Sequence, residues 1–511
     1  PRGLFRELNG MAALSPSSEA VIGVDLGTSG VKAVVAKSGS LIACAHAALG
    51  LSNPEPGWSE QNPANWVDAA RQAITEALGK SGLAPEKISG IGLSGQMHGA
   101  VVLDRARKPL RPAILWNDNR AVAECDALTQ AIPDIGQIAG IVPLPGFTAP
   151  KLMWMRAHEL ELFAQIDTVL LPKDYLALWM TGEVGTDRSD AAGTLWLDQN
   201  ARNWSSAVIA ATGIDASMLP PLRDGFELAG NLRDTVAEQL GLAAGTPVFA
   251  GGGDAATGAI ALGAAEAGKC FMSLGTSGQL LMVDDDYRPD PTRFIHDYCH
   301  TLPGLWYRMA AMLNGARPLA WFAGVLDVTV PEMLRLSEQA DSNRIPLFLP
   351  YLTGERSPHG DPDIRGGFYG LDDATGRAEM ARAVVEAVAF SMGDAKASFG
   401  AAFEPAGPIP AIGGGSRSDA VLQAIATVID HPVARAEVGE GGAAMGAALL
   451  AELGAGLRDH ASIAHDPALS KIFLSQSDPT LLDRFARFQA LYEALKHTAT
   501  VNGLTGKNLT P

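Results

Sequence analysis

The pentapeptide LGTSG occurs twice in this chain, at Leu26–Gly30 and again at Leu274–Gly278. Each copy lies between apolar, often β-branched segments, VIGVD and VKAVV around the first copy and CFMS and QLLMV around the second. Such segments on either side of a glycine-containing turn predict a strand–turn–strand unit. Because nearly half of the 511 residues separate the copies, they are too far apart for a solenoid repeat and predict duplicated domains.

Length and charge limit the classes of protein that remain. A chain of 511 residues exceeds the size at which one hydrophobic core keeps growing, which predicts two domains. The formal net charge of −17 argues against nucleic acid and membrane surfaces as partners, because both require basic faces. No apolar run is long enough to span a bilayer. The four cysteines have no CxxC spacing, which favours reduced thiols in a cytoplasmic protein.

The alternation of strand and helix patterns indicates an α/β chain. Strand patterns begin at Ala20, and residues 62–80 have apolar side chains at helical spacing. A second unit begins near Gly245, where a TPVFAG strand, a GGGD turn and a helical segment follow one another. We therefore expect an N-terminal domain over residues 20–244 and a C-terminal domain over 245–497. Residues 1–19 are expected to be an arm, either a tag remnant or an extended start, and 498–511 a tail.

The two LGTSG turns differ in charge. A glycine turn can hold phosphate oxygens through its N–H groups and short hydroxyls, and Lys32 would add a cation to the first copy. An ordinary β-hairpin is the alternative for either copy taken alone. Asp25 precedes the first copy, whereas Ser273 precedes the second. Since an aspartate beside a phosphate loop would repel the phosphate unless a cation lay between them, Asp25 predicts Mg²⁺, bound through water.

Asp254 follows three glycines in FAGGGDAATGAI and is expected in the first turn of a helix. A helix N-terminus favours a carboxylate, so we expect Asp254 to remain ionised and able to act as a base. Simple capping of the helix is the alternative. The three glycines favour the chemical role, because capping alone does not require so close a backbone approach. An aspartate oriented on a substrate hydroxyl recurs in enzymes of phosphoryl transfer.

Four polar clusters of the first half suit a ligand with many hydroxyls: SGQMHG, WNDNR, LPKDY and SDAAGT. For His98 alone, a buried structural histidine is the alternative, but the group favours a sugar site. In the second half, the glycine turn IGGGSRSD would let a flat base or a ribose lie against the backbone. The HDYCH segment has metal-like spacing, but no further Cys or His pair follows nearby, so a structural role is favoured.

These stretches together resemble the FGGY family of carbohydrate kinases, which belongs to the superfamily of hexokinase, actin and the heat-shock chaperones. The resemblance extends from Val21 to about Ala448. Within the family, the combination of GQMHG, LWND, GFTAPK and SDAAGT is most similar to the members that phosphorylate D-xylulose. The stretches that carry the resemblance are DLGTSGVK, GQMHG, LWNDNR, GFTAPKLMW, LPKDYL, SDAAGTLW, GGGD, SLGTSG, YLTGERSPH and GGGSRS.

The resemblance implies two actin-like (ribonuclease H-like) domains of duplicated topology with a cleft between them. It implies a kinase that uses ATP and Mg²⁺ to phosphorylate the terminal hydroxyl of D-xylulose, with Asp254 as general base and Asp25 linked to the metal. The other site residues that it implies are Thr28, Ser29 and Lys32 on the first phosphate loop, Gly275 and Thr276 on the second, Gly315, Gly414 and Ser418 along the nucleotide, and Met97, His98, Trp116 and Asn117 toward the sugar.

One position departs from the family's pattern, because Ala255 follows the aspartate where the family usually has Asn or Gln. Loss of that side chain leaves another pentulose, a polyol or a sugar acid as alternative substrates. Outside enzymes, the alternative is an actin-like, nucleotide-dependent binding protein. The partners we expect are a small sugar and ATP, and a homodimer is among the assemblies that the sequence leaves open.

Overall fold

The computed structural model describes residues 20–437 and 439–496. The expected N-terminal arm and C-terminal tail lie outside these residues. We number the strands of the two main sheets in chain order, β1 to β13, and refer to every other element by its residue range.

The first LGTSG copy joins two neighbouring strands of a six-stranded sheet, as predicted. The strand order is β5-β6-β4-β1-β2-β3, in which β1, β2 and β3 are antiparallel neighbours and β4 and β6 continue the sheet in parallel with β1. The strands are β1 Ala20–Leu26, β2 Gly30–Lys37, β3 Ser40–Ala48, β4 Ile88–Gly95, β5 Leu228–Asn231 and β6 Pro247–Gly253.

The second copy occupies the same place in a seven-stranded sheet. Its strand order is β9-β10-β8-β7-β11-β12-β13. The last six strands of this order have the same relative directions as β3-β2-β1-β4-β6-β5 of the first sheet, and β9 is an additional strand at the edge. Duplicated topology is therefore confirmed. The strands are β7 Cys270–Leu274, β8 Gly278–Asp284, β9 Ile295–Cys299, β10 Trp306–Met312, β11 Ile409–Ile412, β12 Val433–Ala436 and β13 Leu469–Phe473.

The expected start of the second unit at residue 245 needs correction. Strand β6 pairs in parallel with β4, so the TPVFAG segment belongs to the first sheet. The helix that follows it, Asp254–Ala261, extends from the same sheet. Parallel pairing joins segments that are distant in sequence, and the local pattern of β6 carried no information about its partner.

Helices cover both sheets and form at the predicted positions. The helix Pro63–Ser81 begins after Asn62, whose side chain accepts from the Ala64 N–H, and ends at Gly82, which has a φ of 66°. The longer helices are Pro63–Ser81, Val122–Ala131, Thr148–His158, Pro172–Thr181, Ser206–Thr212, Asp234–Leu240, Asp254–Ala261, Arg317–Val325, Val330–Ser337, Arg377–Ser398, Asp419–Val428, Ala443–Gly454 and Pro479–Leu495.

Shorter elements complete the connections. Short α-helices span Ile135–Ala139, Leu160–Phe163 and Arg188–Ala191. Five two-stranded ribbons pair Glu60–Gln61 with Ala113–Ile114, Val101–Leu103 with Thr168–Leu170, Thr186–Asp187 with Leu222–Arg223, Leu197–Asp198 with Asn203–Trp204, and Leu347–Leu349 with Gly367–Tyr369.

One helix from the second half of the chain packs on the first sheet. We call Ala443–Gly454 the covering helix. A Cβ atom placed on Gly23 of β1 would lie 1.9 Å from the carbonyl oxygen of Ala444, and one on Gly92 of β4 would lie 2.0 Å from that of Ala447. Glycines at these two strand positions therefore allow the helix backbone to touch the sheet, and the chain crosses between the two units more than once.

Two expectations about the chemistry of the chain agree with the structure. All four cysteines are unpaired. Over the two described ranges, no helix is both long and apolar enough to cross a membrane.

Candidate active site

The carboxyl ends of β1, β4 and β6 bring polar groups together at one edge of the first sheet. Asp25 on β1 accepts a hydrogen bond from the Ser94 hydroxyl of β4 at 2.9 Å. The Ser94 oxygen also lies 2.7 Å from the hydroxyl of Thr257, one turn beyond Asp254 in its helix. The Thr257 hydroxyl in turn lies 3.1 Å from the carbonyl oxygen of Gly253, so this chain of hydroxyls leads from the Asp25 carboxylate to the backbone of the turn that carries Asp254. Ligands of α/β sheets bind at such strand ends.

Asp254 is the first residue of its helix, as predicted, but its pKa differs from our expectation. Its side chain is open to solvent, yet desolvation by the surrounding protein and the negative charge of Asp25 raise its pKa to about 7. Backbone N–H groups at the helix terminus act in the opposite direction and are outweighed. The carboxyl is therefore poised between its two protonation states near neutral pH, rather than fully ionised.

A divalent cation fits beside Asp25. Burial raises the pKa of this carboxyl, while the bond from Ser94 and the charge of Lys32 oppose the rise. Asp25 and Asp254 repel one another, and a cation bound between them would remove that repulsion. No cluster of three or more potential metal ligands occurs in the described part of the chain.

The first LGTSG turn is tied to the sugar-binding clusters that the sequence predicts. The Thr28 hydroxyl donates to Gln96 at 2.8 Å and accepts from the indole N–H of Trp116 at 2.9 Å. Ser29 is exposed, and its carbonyl oxygen accepts from the Leu49 N–H. Trp116 is therefore placed at the phosphate turn as well as in the WNDNR cluster.

Lys32 lies opposite Asp25 in the register of β1 and β2. Its ammonium group donates to the carbonyl oxygen of Glu440 at 2.8 Å, in the loop before the covering helix. Lys32 thus connects the first phosphate turn to the second half of the chain, a contact that the sequence did not predict.

The second LGTSG turn forms one wall of a cavity of about 710 Å³. Four of the predicted nucleotide residues line it: Gly275, Thr276, Gly414 and Ser418. The opposite wall is apolar, with Leu319, Ala320, Val330, Pro331 and Leu334. A cavity with glycine backbone on one side and aliphatic side chains on the other suits a flat aromatic base.

Gly315 lies beneath the second turn rather than on the cavity surface. Its N–H donates to the carbonyl oxygen of Thr276 at 3.1 Å. A Cβ atom at this position would lie 2.3 Å from the carbonyl oxygen of Ser277. Gly315 therefore sets the shape of the turn. Ser418 also has a structural role, because its hydroxyl oxygen accepts a hydrogen bond from the Val421 N–H and so caps the helix Asp419–Val428.

His98 is held in a single orientation. Its Nδ1 lies 2.7 Å from the Gly193 carbonyl oxygen, which can only accept, so Nδ1 carries the proton and Nε2 is free to accept from a hydroxyl. Burial, with the positive charges of Lys151 and Arg356 among the further causes, lowers the pKa of His98 to about 3. The backbone has a φ of 70°, and the Lys151 ammonium group donates to the His98 carbonyl oxygen at 2.8 Å.

The remaining predicted sugar residues occupy the same region to different degrees. Met97 is buried beside the glycine turn that precedes Asp254, since a Cβ atom on Gly253 would lie 2.8 Å from its sulfur atom. Asn117 is exposed in a turn next to Trp116. Met97 belongs to a large apolar cluster, and Ala255 and Ile412 both pack against this cluster.

The charged residues of two of the four polar clusters are buried. Lys173 of LPKDY lies 2.5 Å from Asp174, 3.0 Å from Asp187 and 3.5 Å from Asp190, all within the protein interior. Burial lowers the pKa of Lys173, but the three carboxylates outweigh it and the net shift is upward. The charged residues of LPKDY and SDAAGT thus form a buried ion cluster, while Gly193 of SDAAGT contacts His98. The assignment of these two segments to the sugar site stays a prediction. Ser189 connects this cluster to the turn before Asp254 by accepting from the Gly253 N–H at 3.1 Å.

Three residues that support the site were not predicted individually, although each lies within one of the motifs named above. They are Ser94, which bonds Asp25, Gln96, which bonds Thr28, and Lys151, which bonds His98. The only feature of the sequence that could have indicated these three residues is a polar side chain within an otherwise apolar stretch. The first four residues of HDYCH lie in strand β9 and His300 follows it; all five are buried, in agreement with the structural role that we favoured.

Comparison with known proteins agrees with this arrangement. The model of the FGGY family of carbohydrate kinases, N-terminal domain, matches residues 20–261, and that of the C-terminal domain matches residues 270–455. The xylulose kinase of Escherichia coli (strain K12) is 43% identical over 437 residues, covering 85% of this chain and 90% of that protein.

Solved structures show the same architecture. A xylulose kinase from Brucella ovis superposes with a TM-score of 0.88 at 42% identity, covering 93% of this chain and 99% of that one. A gluconate kinase from Lactobacillus acidophilus has a TM-score of 0.89 at 26% identity, covering 94% and 99%. The N-terminal family model extends through β6 and the Asp254 helix, in accord with their place in the first sheet.

Proposed function

Because the chain belongs to the FGGY family of carbohydrate kinases, we propose that it transfers the γ-phosphoryl group of ATP to the terminal hydroxyl of D-xylulose. The products are D-xylulose 5-phosphate and ADP. The substrate follows from relatives that are 42–43% identical and are named xylulose kinases. The observation that carries the proposal is the position of Asp254 at the edge of the first sheet. The negative charge of Asp25 and desolvation raise the pKa of its carboxyl group to about 7.

Asp254 acts as the base toward the sugar. As the bond between the terminal hydroxyl oxygen and the γ-phosphorus forms and the bond from phosphorus to the β,γ-bridging oxygen breaks, the hydroxyl proton passes to the Asp254 carboxylate. A carboxyl with a pKa near the working pH can accept this proton and release it afterwards. His98 orients the sugar by accepting a hydrogen bond at Nε2, because Nδ1 is already committed to Gly193.

The nucleotide occupies the cavity of the second unit. Its base lies between the aliphatic wall and the glycine turn, and its phosphates extend from Gly275 and Thr276 toward the first turn. Thr28 and Ser29 of that turn lie beside Trp116, so the two LGTSG copies hold the phosphates from opposite units. We propose Mg²⁺ at Asp25, where it would offset the charge of the phosphates.

The decisive experiment is an ADP-release assay over a panel of ketoses, polyols and sugar acids. We expect D-xylulose to stimulate ADP release more than any other member of the panel. If no sugar stimulates release, the kinase assignment is wrong.

A variant tests the role of the base. Asp254→Asn is expected to bind ATP with unchanged affinity and to lose at least about a thousandfold in turnover, because the amide cannot accept the proton. Asp234→Asn is the matched control, since Asp234 is also the exposed first residue of a helix, but it follows the end of β5 that pairs with the start of β6, whereas Asp254 follows the opposite end of β6. Substantial turnover by Asp254→Asn would remove Asp254 from this role.

A further inference from the structure

A cavity of about 680 Å³ is lined by residues other than those assigned to the sugar, the metal or the nucleotide. The first unit forms most of its wall, and Pro303 and Gly304, from the loop between β9 and β10, complete it. This volume is within the range of small-molecule sites, about 300–1,000 Å³. The cavity therefore lies where the two units meet, and it has no role in the chemistry described so far.

The cavity carries a positive charge. Among the described residues, its charged lining consists of Arg188, Arg202 and Asp224. The Asp224 Oδ1 atom lies 3.0 Å from Nη1 of Arg188 and 3.5 Å from Nη2 of Arg202, so one carboxylate serves two guanidinium groups. All three side chains are partly open to solvent. Since the lining retains a net positive charge in a chain whose net charge is −17, an anion is the class of ligand that it attracts.

Arg188 keeps hydrogen-bond donors for such an anion. Its Nε donates to the Arg202 carbonyl oxygen at 3.1 Å, and its Nη1 donates to Asp224 at 3.0 Å. These bonds use two of the five N–H groups of a guanidinium, and no acceptor in the described part of the chain takes the others. The Asn203 side-chain oxygen accepts from the Trp204 N–H at 2.9 Å, which leaves its NH₂ group available as well. A guanidinium fork matches two oxygens of a phosphate group.

Arg202 ties the two units together at the cavity. Its Nη1 donates to the Leu305 carbonyl oxygen at 2.7 Å, and its Nη2 donates to that of Leu302 at 3.2 Å. These two residues flank Pro303 and Gly304, so Arg202 holds the loop that completes the wall. A Cβ atom on Gly304 would meet nothing within 4 Å. The cavity is therefore open to a ligand at this rim.

Much of the remaining lining is apolar and suits the carbon skeleton of a sugar. It includes Trp204, Leu219, Pro220 and Pro221. The indole N–H of Trp204 donates to the Pro220 carbonyl oxygen at 3.0 Å, which fixes the ring against this segment. Aromatic and proline side chains offer apolar surface to the C–H groups of a sugar, whereas inorganic phosphate has no such groups. The lining therefore favours a phosphorylated sugar over phosphate alone.

Arg188 is joined to the end of β6 through its neighbour in the chain. The Ser189 hydroxyl accepts from the Gly253 N–H at 3.1 Å, and Gly253 directly precedes Asp254. A Cβ atom on Gly252 would lie 2.9 Å from the same hydroxyl oxygen. A displacement of Arg188 would therefore reach the turn that positions the base.

Asp224 is joined to the same turn from the other side of the ion pair. Its neighbour Gly225 accepts from the Gly251 N–H at 2.8 Å. A Cβ atom on Gly225 would lie 2.6 Å from the Gly251 carbonyl oxygen, so the two backbones are in close contact. The two partners of this ion pair thus adjoin segments that hold Gly251 and Gly253.

We propose that this cavity is a second ligand site, which binds a phosphorylated sugar through Arg188 and lowers turnover when it is occupied. D-xylulose 5-phosphate has the required phosphate group and carbon skeleton, and the choice of this ligand rests on the function proposed above. Its phosphate competes with Asp224 for the Arg188 guanidinium, and the altered ion pair shifts the turn before Asp254. Because misplacement of a reacting group by about 1 Å can lower a rate about a hundredfold, occupancy inhibits the enzyme.

Equilibrium titration with D-xylulose 5-phosphate tests the site. Saturating ADP and D-xylulose occupy the active site during the titration and supply no phosphoryl donor. We expect the wild type to bind one molecule per chain. Ala201→Glu adds a carboxylate at an exposed position of the lining and should weaken binding at least about tenfold, because like charges repel. Ala244→Glu, at an exposed alanine outside the cavity, is the matched control and should bind as the wild type does.

The effect on turnover is measured at saturating ATP and D-xylulose, where competition at the sugar site is suppressed. With the cavity saturated by D-xylulose 5-phosphate, kcat of the wild type and of Ala244→Glu should fall at least about threefold. At the same ligand concentration, kcat of Ala201→Glu should stay unchanged. Arg188→Met removes the fork and should also bind the ligand weakly, so it provides the comparison if Ala201→Glu does not fold, as judged by thermal unfolding.

Each outcome decides one part of the inference. The site is refuted if the wild type does not bind D-xylulose 5-phosphate, or if Ala201→Glu binds it equally well. Inorganic phosphate that binds as tightly as the sugar phosphate would overturn the assignment of a sugar, and an unchanged kcat at saturation would overturn the inhibition. If the wild type binds the ligand in this cavity but releases no ADP with D-xylulose, the proposed function is wrong and the second site stands.

Discussion

Gly193 is the residue whose replacement tests the orientation of His98 most directly. A Cβ atom at this position would lie 2.5 Å from Nδ1 of His98 and 2.8 Å from its Cε1. Ordinary contacts of a Cβ atom are 3.4 Å or longer, so in Gly193→Ala the imidazole must retreat by about 1 Å. Gly193 is not among the residues with positive φ, so the backbone itself accepts alanine. The perturbation falls mainly on His98, with a lesser contact of 3.3 Å to the Met97 methyl group.

The expected loss of kcat/KM in Gly193→Ala follows from the displacement of the His98 imidazole. The hydrogen bond from Nδ1 to the Gly193 carbonyl oxygen is 2.7 Å long, and a retreat of about 1 Å would break it, at a cost of about 0.5–1.5 kcal/mol. Misplacement of a substrate-orienting group by about 1 Å can itself lower the rate about a hundredfold. We therefore expect kcat/KM for D-xylulose to fall between about tenfold and a hundredfold in Gly193→Ala, mainly through KM, while ATP affinity is unchanged.

The assay is sugar-dependent ADP release at saturating ATP, with Gly258→Ala as the control. Gly258 belongs to the Asp254 helix, and a Cβ atom there would meet nothing within 4 Å. Alanine is favoured over glycine in a helix by about 1 kcal/mol, so this variant should fold at least as well as the wild type and keep its KM. A folded Gly193→Ala protein whose KM for D-xylulose stays within twofold of wild type would show that His98 does not orient the sugar.

Two further predictions concern the base and the nucleotide cavity. Because the pKa of Asp254 is raised to about 7 and the carboxylate is the reactive form, kcat/KM should rise about tenfold per pH unit below pH 7 and reach a plateau above it; a flat profile from about pH 5.5 to 8.5 would contradict this assignment. Gly315→Ala would place a methyl group 2.3 Å from the Ser277 carbonyl oxygen, and should raise the KM for ATP at least tenfold without changing the KM for sugar. Gly324→Ala, with open space around it, is the control, and equal ATP kinetics in both variants would show that the second turn does not hold the nucleotide.

The features that the sequence predicted are those encoded locally. Each strand–turn–strand unit has its apolar residues and its glycines within about fifteen positions, so β1–β2 and β7–β8 could be recognised without knowledge of their neighbours. The place of Asp254 at the start of a helix was predicted for the same reason.

The features that the sequence did not predict depend on contacts between residues that are distant in the chain. The pKa of Asp254 follows from burial and from Asp25, 229 positions earlier, whereas the local helix terminus suggested full ionisation. Likewise, LPKDY and SDAAGT contain charged residues typical of a surface, but Lys173 lies among three aspartates in the interior. Burial raises the pKa of Asp174 and Asp190, so that the negative charge beside this single ammonium group is reduced. The contact from Lys32 to Glu440 spans most of the chain. Charge compensation and parallel strand pairing leave no signature in a short window of sequence.

The covering helix makes the N-terminal unit discontinuous in sequence. Residues 20–261 form its sheet, but residues 443–454 supply the surface that packs on Val21, Val34 and Phe249. A fragment cut between residues 261 and 270 would leave that apolar face in contact with water, and the other fragment would carry a helix with no sheet to rest on. Expression of the two halves as independent proteins should therefore fail, and the smallest unit that folds spans both halves of the duplication.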